Sequence, residues 1–374
     1  MQTVPGHLVA LVLALVDVGV AGAASAPSAP STPSAASTPS AASTPSAPSA
    51  AADASHYRIA KRIPVEGDGF WDLLAADASS GRVFLSHGTV VQIVDPSTAR
   101  VVGTVPDANG VHGVALASEL NKGFATCGKD DAVVIFRLDT AAVEARVRVT
   151  GENPDAILYE PSTRRVFAFN GRGANATVLD AASGAVVGTL ALEGKPELPA
   201  TDGAGKIFVN LEDKSQVCEI DAKTLKVEHS WPLAPGEEPT GLALDAAHHR
   251  LFSGCANRLM VVLDSDSGEV VATLPIGDRV DGVAFDPSLQ RAYSSNGEGT
   301  LTVIQEAKDG TFAVLENVAT QKGARTLAVD PKTHRIFLPT AELGEAPRPT
   351  PEVPHPRPTV KPGSFVVLVV EPTP

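Results

Sequence analysis

A triplet made of a basic residue, one spacer and an aromatic residue recurs seven times along the 374-residue chain. Successive aromatic residues are separated by 40, 43, 41, 44, 41 and 44 positions. Short runs of β-forming residues fill each interval, and a period near this length is typical of one propeller blade. The repeat therefore predicts an all-β, seven-bladed β-propeller. The seven triplets are Arg82–Phe84, Lys122–Phe124, Arg165–Phe167, Lys206–Phe208, Arg250–Phe252, Arg291–Tyr293 and Arg335–Phe337.

Each repeat has the same internal layout. A short apolar strand ends in an acid, a turn leads to the basic residue and aromatic of the second strand, and two further strands follow. We expect the acid and the base to pair across the turn, and the aromatic to pack between adjacent blades. Six repeats carry the acid, and the second repeat has Ser118 there: Asp77, Glu160, Asp202, Asp245, Asp286 and Asp330.

The sequence also predicts how the ring closes. The seventh repeat ends after its third strand, Phe365 to Val370, and no fourth strand follows it. Tyr57 to Val65, which precedes the first repeat, resembles a fourth strand. We expect it to complete the last blade, because this pairing removes two open sheet edges.

The N-terminal region differs in composition from the rest of the chain. Residues 8–20 are apolar apart from Asp17, and Ala21-Gly22-Ala23 resembles a cleavage site, so residues 1–23 are expected to be a signal peptide. Residues 24–55, rich in Ala, Ser, Pro and Thr, are expected to form a disordered linker before a propeller at residues 56–372. The expected location is periplasmic, secreted or cell-surface, with membrane association only through an uncleaved signal segment.

Net charge and cysteine content argue against nucleic-acid binding and against a fold held together by disulfides. A formal charge of −13 disfavours nucleic-acid binding, since an acidic surface repels the phosphate backbone. Three cysteines are too few for a disulfide framework, and they are expected to be small buried side chains.

Two stretches resemble the YVTN-repeat β-propeller family. Residues 292–296 with 301–304 are similar to its second and third strands, and residues 262–277 to its third and fourth strands. The likeness extends over residues 57–370. It implies a seven-bladed, exported or surface protein, within a superfamily that includes sugar lactonases and, in some members, DNA binders. The chain departs from the motif at His87, Cys127, Cys255 and Thr340, where the family has Asn.

Chemistry is expected at one mouth of the central channel, where first strands begin and second strands end. Two sets of side chains are expected to converge there. The residues at the starts of the first strands are Asp72, His112, Asp155, Glu197, Thr240, Asp281 and Arg325. The residues at the ends of the second strands are His87, Cys127, Asn170, Asn210, Cys255, Asn296 and Thr340.

Three interpretations of this mouth stay open. The carboxylates of Asp72, Asp155, Glu197 and Asp281 could hold Ca²⁺ or Mg²⁺ through oxygen ligands. A carboxylate with a raised pKa could instead act as general base on a lactone or ester. The polar residues are also those that line a water-filled channel, with Arg325 pairing neighbouring carboxylates.

A proline-rich insertion interrupts the seventh repeat at residues 341–363, on the same rim as the mouth. It contains seven prolines, and stiff extended segments of this kind serve as lids, partner-docking arms or neutral insertions. Taken together, the sequence predicts an exported propeller acting as a non-enzymatic module that binds an unknown protein or small molecule through one rim. The alternatives are a lactonase-like, metal-assisted hydrolase and, disfavoured by charge, a single-stranded DNA-binding protein.

Overall fold

The computed structural model describes residues 56–67, 69–350 and 358–373. The predicted signal peptide, the predicted linker and residues 351–357 of the insertion lie outside the described residues. Within the described ranges, the strands form seven four-stranded antiparallel sheets, as the repeat predicts. In this part of the chain, no helix has the length and apolar character needed to cross a membrane.

Each of the first six blades uses four consecutive strands, and their first strands pack against one another around the axis. Blade 1 has β2 (Trp71–Asp77), β3 (Arg82–His87), β4 (Val90–Asp95) and β5 (Arg100–Val105). Blade 2 has β6 (Val111–Ala117), β7 (Lys122–Cys127), β8 (Ala132–Arg137) and β9 (Val143–Arg148). Blade 3 has β10 (Pro154–Glu160), β11 (Arg165–Asn170), β12 (Asn175–Asp180) and β13 (Val186–Ala191).

The same arrangement continues around the second half of the ring. Blade 4 has β14 (Pro196–Thr201), β15 (Lys206–Leu211), β16 (Gln216–Asp221) and β17 (Lys226–Pro232). Blade 5 has β18 (Pro239–Asp245), β19 (Arg250–Cys255), β20 (Leu259–Asp264) and β21 (Val270–Pro275). Blade 6 has β22 (Val280–Asp286), β23 (Arg291–Asn296), β24 (Thr300–Glu306) and β25 (Phe312–Ala319). Single 3₁₀ turns span Ser118–Leu120 and Glu212–Lys214.

Blade 7 joins the two ends of the chain. It contains β26 (Ala328–Asp330), β27 (Arg335–Thr340), β28 (Val366–Pro372) and β1 (Tyr57–Pro64). β1 is antiparallel to β28, with Tyr57 opposite Pro372 and Pro64 opposite Val366. The Tyr57 hydroxyl also lies 2.9 Å from that of Tyr293 and accepts a hydrogen bond from Arg291 at 2.8 Å. The predicted closure by the N-terminal strand is confirmed.

The repeated aromatic residues fill the interfaces between blades, as expected. Apolar side chains form seven clusters, and each cluster joins two neighbouring blades. Phe84 of blade 1, for example, packs against Phe136 of blade 2 with ring centroids 6.1 Å apart. Burial of a large aromatic at every interface stabilises each blade against its neighbour, because each removes much apolar surface from water. All seven residues of this set are at most 2% exposed.

The expected pairing of acid and base across the first turn is wrong. The Asp77 carboxylate accepts hydrogen bonds from the Ser79 amide at 3.0 Å and the Ser80 hydroxyl at 2.6 Å. Four of the seven basic residues reach the third strand of their own blade instead, as Lys206 does in pairing with Glu219 at 2.7 Å. The physical reason is reach, since a short carboxylate beside a turn lies closest to the turn's own amides. The acids therefore cap turns.

Candidate functional site

The first strands all begin at one end of the ring, here called the mouth rim, and end at the other, the opposite rim. At the mouth rim the structure brings together the seven residues at the strand starts around a cavity of about 200 Å³. An alternating strand directs every second side chain toward the same face, so equivalent positions in seven blades converge on the axis. The cavity is lined by Asp72, His112, Asp155, Glu197, Thr240, Asp281 and Arg325, together with Leu73, Leu198 and Glu212.

Asp72, His112 and Asp155 form the closest group, with one donor atom from each within 4.8 Å of the others. The His112 Nδ1 atom lies 2.7 Å from the Asp72 carboxylate and 3.6 Å from the Asp155 carboxylate. Backbone atoms fix this geometry: the Asp72 carbonyl accepts a hydrogen bond from Thr326 at 2.8 Å. Gly128 gives the imidazole room, because a Cβ there would lie 2.8 Å from the His112 Nε2 atom.

Arg325 occupies the next part of the cavity. Its guanidinium pairs with Asp72 at 3.2 Å and forms a short contact with Asp281. The Arg325 carbonyl is held by the Gly282 amide at 2.8 Å, so the side chain is anchored to blade 6. Asp281 is therefore engaged by a cation of the protein itself, and it does not join the group around His112.

A third group was not found by sequence reasoning. Lys195 pairs with Glu197 at 2.8 Å and forms a short contact with Glu212. Lys195 directly precedes β14, and Glu212 directly follows β15. The only feature of the sequence that could have indicated Lys195 and Glu212 is their position next to strand ends on the mouth rim. Prediction from the strand starts could not include them, because neither residue begins a first strand.

Burial and crowding of negative charge raise the pKa of the mouth carboxyls. Burial raises the pKa of Glu197 to about 8, and the Asp155 charge raises it further. These two effects outweigh the hydrogen bond from Lys195, which lowers the pKa. Burial raises the pKa of Asp281 to about 6 despite the Arg325 charge, with Asp72 contributing. The pKa of Asp155 is raised by burial and then by the Asp72 charge. The cavity therefore gathers more carboxyl groups than its own cations can stabilise as anions.

The second predicted set does not line this cavity, so that expectation is wrong. His87, Asn170 and Asn296 are buried and hydrogen bond within their own sheets. The buried Asn210 amide instead donates to the next blade, to the carbonyls of Thr240 and Gly241 at 3.1 and 3.0 Å. The reason is the order of strands in each sheet, since the first strand lies next to the axis and the second strand lies behind it. Cys127, Cys255 and Thr340 are buried as well.

The described ends of the proline-rich insertion lie against the mouth rim. Leu343 and Val360 form an isolated antiparallel bridge, and the Gly344 amide donates to the Thr359 carbonyl at 2.8 Å. Leu343 and Val360 also pack onto the apolar cluster between blades 7 and 1. Pro351, Glu352, Pro354, His355 and Pro356 lie outside the described residues, and the role of the insertion stays a prediction.

The opposite rim carries a second group of metal-ligating side chains. Asp245, His248 and Glu306 also place one donor atom each within 4.8 Å of the others. The His248 Nδ1 atom lies 2.7 Å from the Asp245 carboxylate, which also caps its own turn through the Ala247 amide at 3.1 Å. This group lies at the ring's outer turns, and its histidine side chain is 47% exposed.

Comparisons with known proteins show limited similarity. No family model matches the chain, so the resemblance to YVTN repeats is not confirmed. The uncharacterized protein YncE of Salmonella typhi is 22% identical over 244 residues, covering 55% of this chain and 68% of the relative. The uncharacterized protein YncE of Escherichia coli K12 is 22% identical over 218 residues, covering 53% and 60%. The chain thus spans only about two thirds of these relatives' length.

A solved structure matches over more of the chain. Kuenenia stuttgartiensis hydrazine synthase superposes with a TM-score of 0.62 at 15% identity, covering 73% of this chain and 94% of the other. At this level of identity the match shows the fold alone. The seven closed sheets and this match together establish a seven-bladed β-propeller.

Proposed function

We propose that this protein is a non-enzymatic binding module that captures a divalent cation at the mouth rim. The observation that carries the proposal is the group of Asp72, His112 and Asp155, supplied by three consecutive blades and converging within 4.8 Å. Two carboxylates and one imidazole are metal-ligand groups, and Glu197 and Asp281 line the same cavity.

The donor set favours one kind of cation over another. We predicted Ca²⁺ or Mg²⁺ held by four carboxylates, but Glu197 and Asp281 lie outside the group of Asp72, His112 and Asp155. The group closest together includes an imidazole, which suits Mn²⁺ or Zn²⁺ better than Ca²⁺. The His112 Nδ1 atom and the Asp72 carboxylate are 2.7 Å apart, so a cation bound by both residues takes the place of the proton that they share.

Isothermal titration calorimetry on the full chain tests the proposal. Mn²⁺, Zn²⁺, Ca²⁺ and Mg²⁺ are each titrated into the parent protein, the Asp155→Asn variant and an Asp309→Asn control. Asp309 lies in an exposed turn and caps it through Thr311 at 2.7 Å, so the control makes the same change of charge away from the mouth. We expect Asp155→Asn to weaken Mn²⁺ or Zn²⁺ binding at least ~10-fold. The proposal fails if the parent binds none of the four ions, or if both variants bind like the parent.

A second function is favoured by one observation. The pKa of Glu197 lies at about 8, so its carboxyl carries a proton at neutral pH beside a group suited to a metal. A protonated acid next to a bound metal is the arrangement that metal-assisted hydrolysis of a lactone or ester uses. Assays with a lactone panel and the Glu197→Gln variant separate the functions, because a binding module shows no metal-dependent turnover.

We also propose export, on the strength of the apolar segment and cleavage-like site at residues 1–23. Mass spectrometry of the protein recovered from the producing cells gives the mature N-terminus. We expect it just after Ala23, and an N-terminus at Met1 contradicts cleavage.

A further inference from the structure

A second cavity opens beside the channel on the mouth rim. It has a volume of about 260 Å³ and lies between blades 6, 7 and 1. Its apolar wall is formed by Phe70, Trp71, Leu343 and Pro358, the last two from the proline-rich insertion. Arg279 and Arg325 supply its charge, and Arg325 also lines the channel cavity.

Two glycines keep this cavity open. A Cβ at Gly297 would lie 3.2 Å from the Cβ of Arg279 and 3.6 Å from that of Arg325, between the two basic residues. A Cβ at Gly323 would lie 3.3 Å from Leu343 and 3.6 Å from the Trp71 ring. Gly323 has φ +92°, a conformation that side-chain-bearing residues rarely adopt. The floor of the cavity is therefore bare backbone.

The polar side chains that line this cavity are basic. Arg279 and Arg325 offer guanidinium donors, and none of the described residues that line the cavity is acidic. Arg325 also pairs with Asp72 and Asp281, so Arg279, which is 3.9 Å from Asp278, is the less compensated of the two cations. The Trp71 side chain is only 6% exposed, and its indole Nε1 has no hydrogen-bond partner within the described part of the chain. This N–H group is enclosed by protein, so the Trp71 ring contributes an apolar surface to the cavity and not a hydrogen-bond donor.

We infer that this cavity binds a small organic carboxylate with an apolar body. The carboxylate accepts hydrogen bonds from the guanidinium groups of Arg279 and Arg325, and the apolar body packs on Phe70, Trp71, Leu343 and Pro358. The volume suits a ligand smaller than a typical drug-sized molecule. This site differs from the channel mouth in the sign of its ligand, and it holds whether or not a cation binds at His112.

The experiment uses ¹⁵N-labelled full-length protein and the two tryptophan indole signals. The chain has two tryptophans, and Trp231 packs on the outer strand of blade 4, away from this cavity. Phenylacetate is titrated as the probe, with phenylacetamide as the neutral analogue of the same shape. We expect phenylacetate to shift the Trp71 signal and leave the Trp231 signal in place. We expect phenylacetamide to bind at least ~10-fold more weakly, since charge-assisted hydrogen bonds are lost.

A matched pair of variants decides whether Arg279 binds the probe. Arg279 and Arg258 both pair with Asp278, at 3.9 and 3.3 Å, and only Arg279 lines the cavity. Both side chains are more than half exposed, so neither change disturbs the core. We expect Arg279→Gln to weaken phenylacetate binding ~10-fold or more, and Arg258→Gln to leave it within about twofold. Equal affinities for acid and amide, equal losses in the two variants, or no Trp71 shift would each overturn the inference.

Discussion

Carboxyl groups lie at both rims of the ring, and the pKa shifts of Asp77 and Glu160 at the opposite rim have the reverse sign to those of Asp155, Glu197 and Asp281 at the mouth rim. At the opposite rim, burial alone would raise the pKa of Asp77, but hydrogen bonds from Ser79, Ser80 and Ser118 outweigh it and the pKa is lowered. The pKa of Glu160 is likewise lowered, because bonds from Thr163 and Ser162 outweigh burial. At the mouth rim, burial and neighbouring acids raise the pKa of Glu197 and Asp281.

This difference separates structural acids from acids available to a ligand. A carboxylate that accepts hydrogen bonds from turn amides is stabilised as an anion, and its oxygens already have partners within the protein. Carboxylates gathered in a cavity repel one another, and the binding of a cation or a proton stabilises them. The same residue type, at the two ends of one strand, therefore supports folding at one rim and binding at the other.

The largest effect is expected from removing the strand that closes the ring, since both rims depend on that closure. Deletion of Tyr57–Val65 removes β1, exposes the edge of β28 and leaves Tyr293 without its hydroxyl partner. An open hydrophobic edge promotes aggregation, so we expect no cooperative thermal transition. Circular dichroism melting and size-exclusion chromatography check this outcome. A soluble deletion variant that melts cooperatively would show that the rims do not depend on closure.

A smaller loss of stability is expected from the opposite rim. Glu160→Ala leaves the Ser162 and Thr163 amides, now bonded at 3.0 and 2.7 Å, without their acceptor. We expect the free energy of unfolding to fall by about 2–4 kcal/mol. Urea denaturation measures it, with Glu197→Ala at the mouth as the control. If both variants lose the same stability, the distinction between the rims is broken.

The raised pKa of Glu197 at the mouth makes the protein less stable as the pH rises, whereas the lowered pKa of Glu160 makes it less stable as the pH falls. Glu197 has a folded pKa of about 8, above its usual 4.5, so the folded state holds the proton more tightly. Its contribution to stability is complete below pH 4.5 and is lost as the pH rises through about 8. Glu197→Gln should therefore be more stable than the parent at pH 8.5, by about 1–3 kcal/mol, and similar at pH 4. Urea denaturation at both pH values measures the crossover, and a parallel pair of curves would contradict it.

The smallest effect concerns the buried ends of the second strands. Burial raises the pKa of Cys127 to about 11 and that of Cys255 to about 12, so their thiolates are scarce at pH 8. We expect the native protein to resist a disulfide-exchange reagent, and all three thiols to react once urea unfolds it. Fast reaction of a native thiol, followed by absorbance, would mean that this set faces the mouth after all.

The fold was predictable because its signals repeat. Seven copies of the basic–aromatic triplet fixed the blade count, and the missing fourth strand of the last repeat identified Tyr57–Val65 as its completion. With seven copies, a local departure in one repeat does not hide the pattern; Pro339 in β27 is such a departure. Every blade therefore adds evidence for the same architecture.

The site was predictable only in part. The strand starts gave Asp72, His112 and Asp155, because equivalent positions converge on the axis in any propeller. Which carboxylate pairs with which cation depends on side-chain reach across blades, and no spacing in the sequence encodes that distance. For the same reason the contribution of Lys195 and Glu212 was missed. The ends of the second strands were misplaced, since the first strands lie between them and the axis.

Anomalous diffraction from crystals of the full chain grown with Mn²⁺ tests the central claim directly, because it locates the ion without reference to activity. The account predicts a peak at the mouth rim, within coordination distance of Asp72, His112 and Asp155. A peak at Asp245, His248 and Glu306 alone, or no peak on the mouth rim at millimolar Mn²⁺, would contradict it.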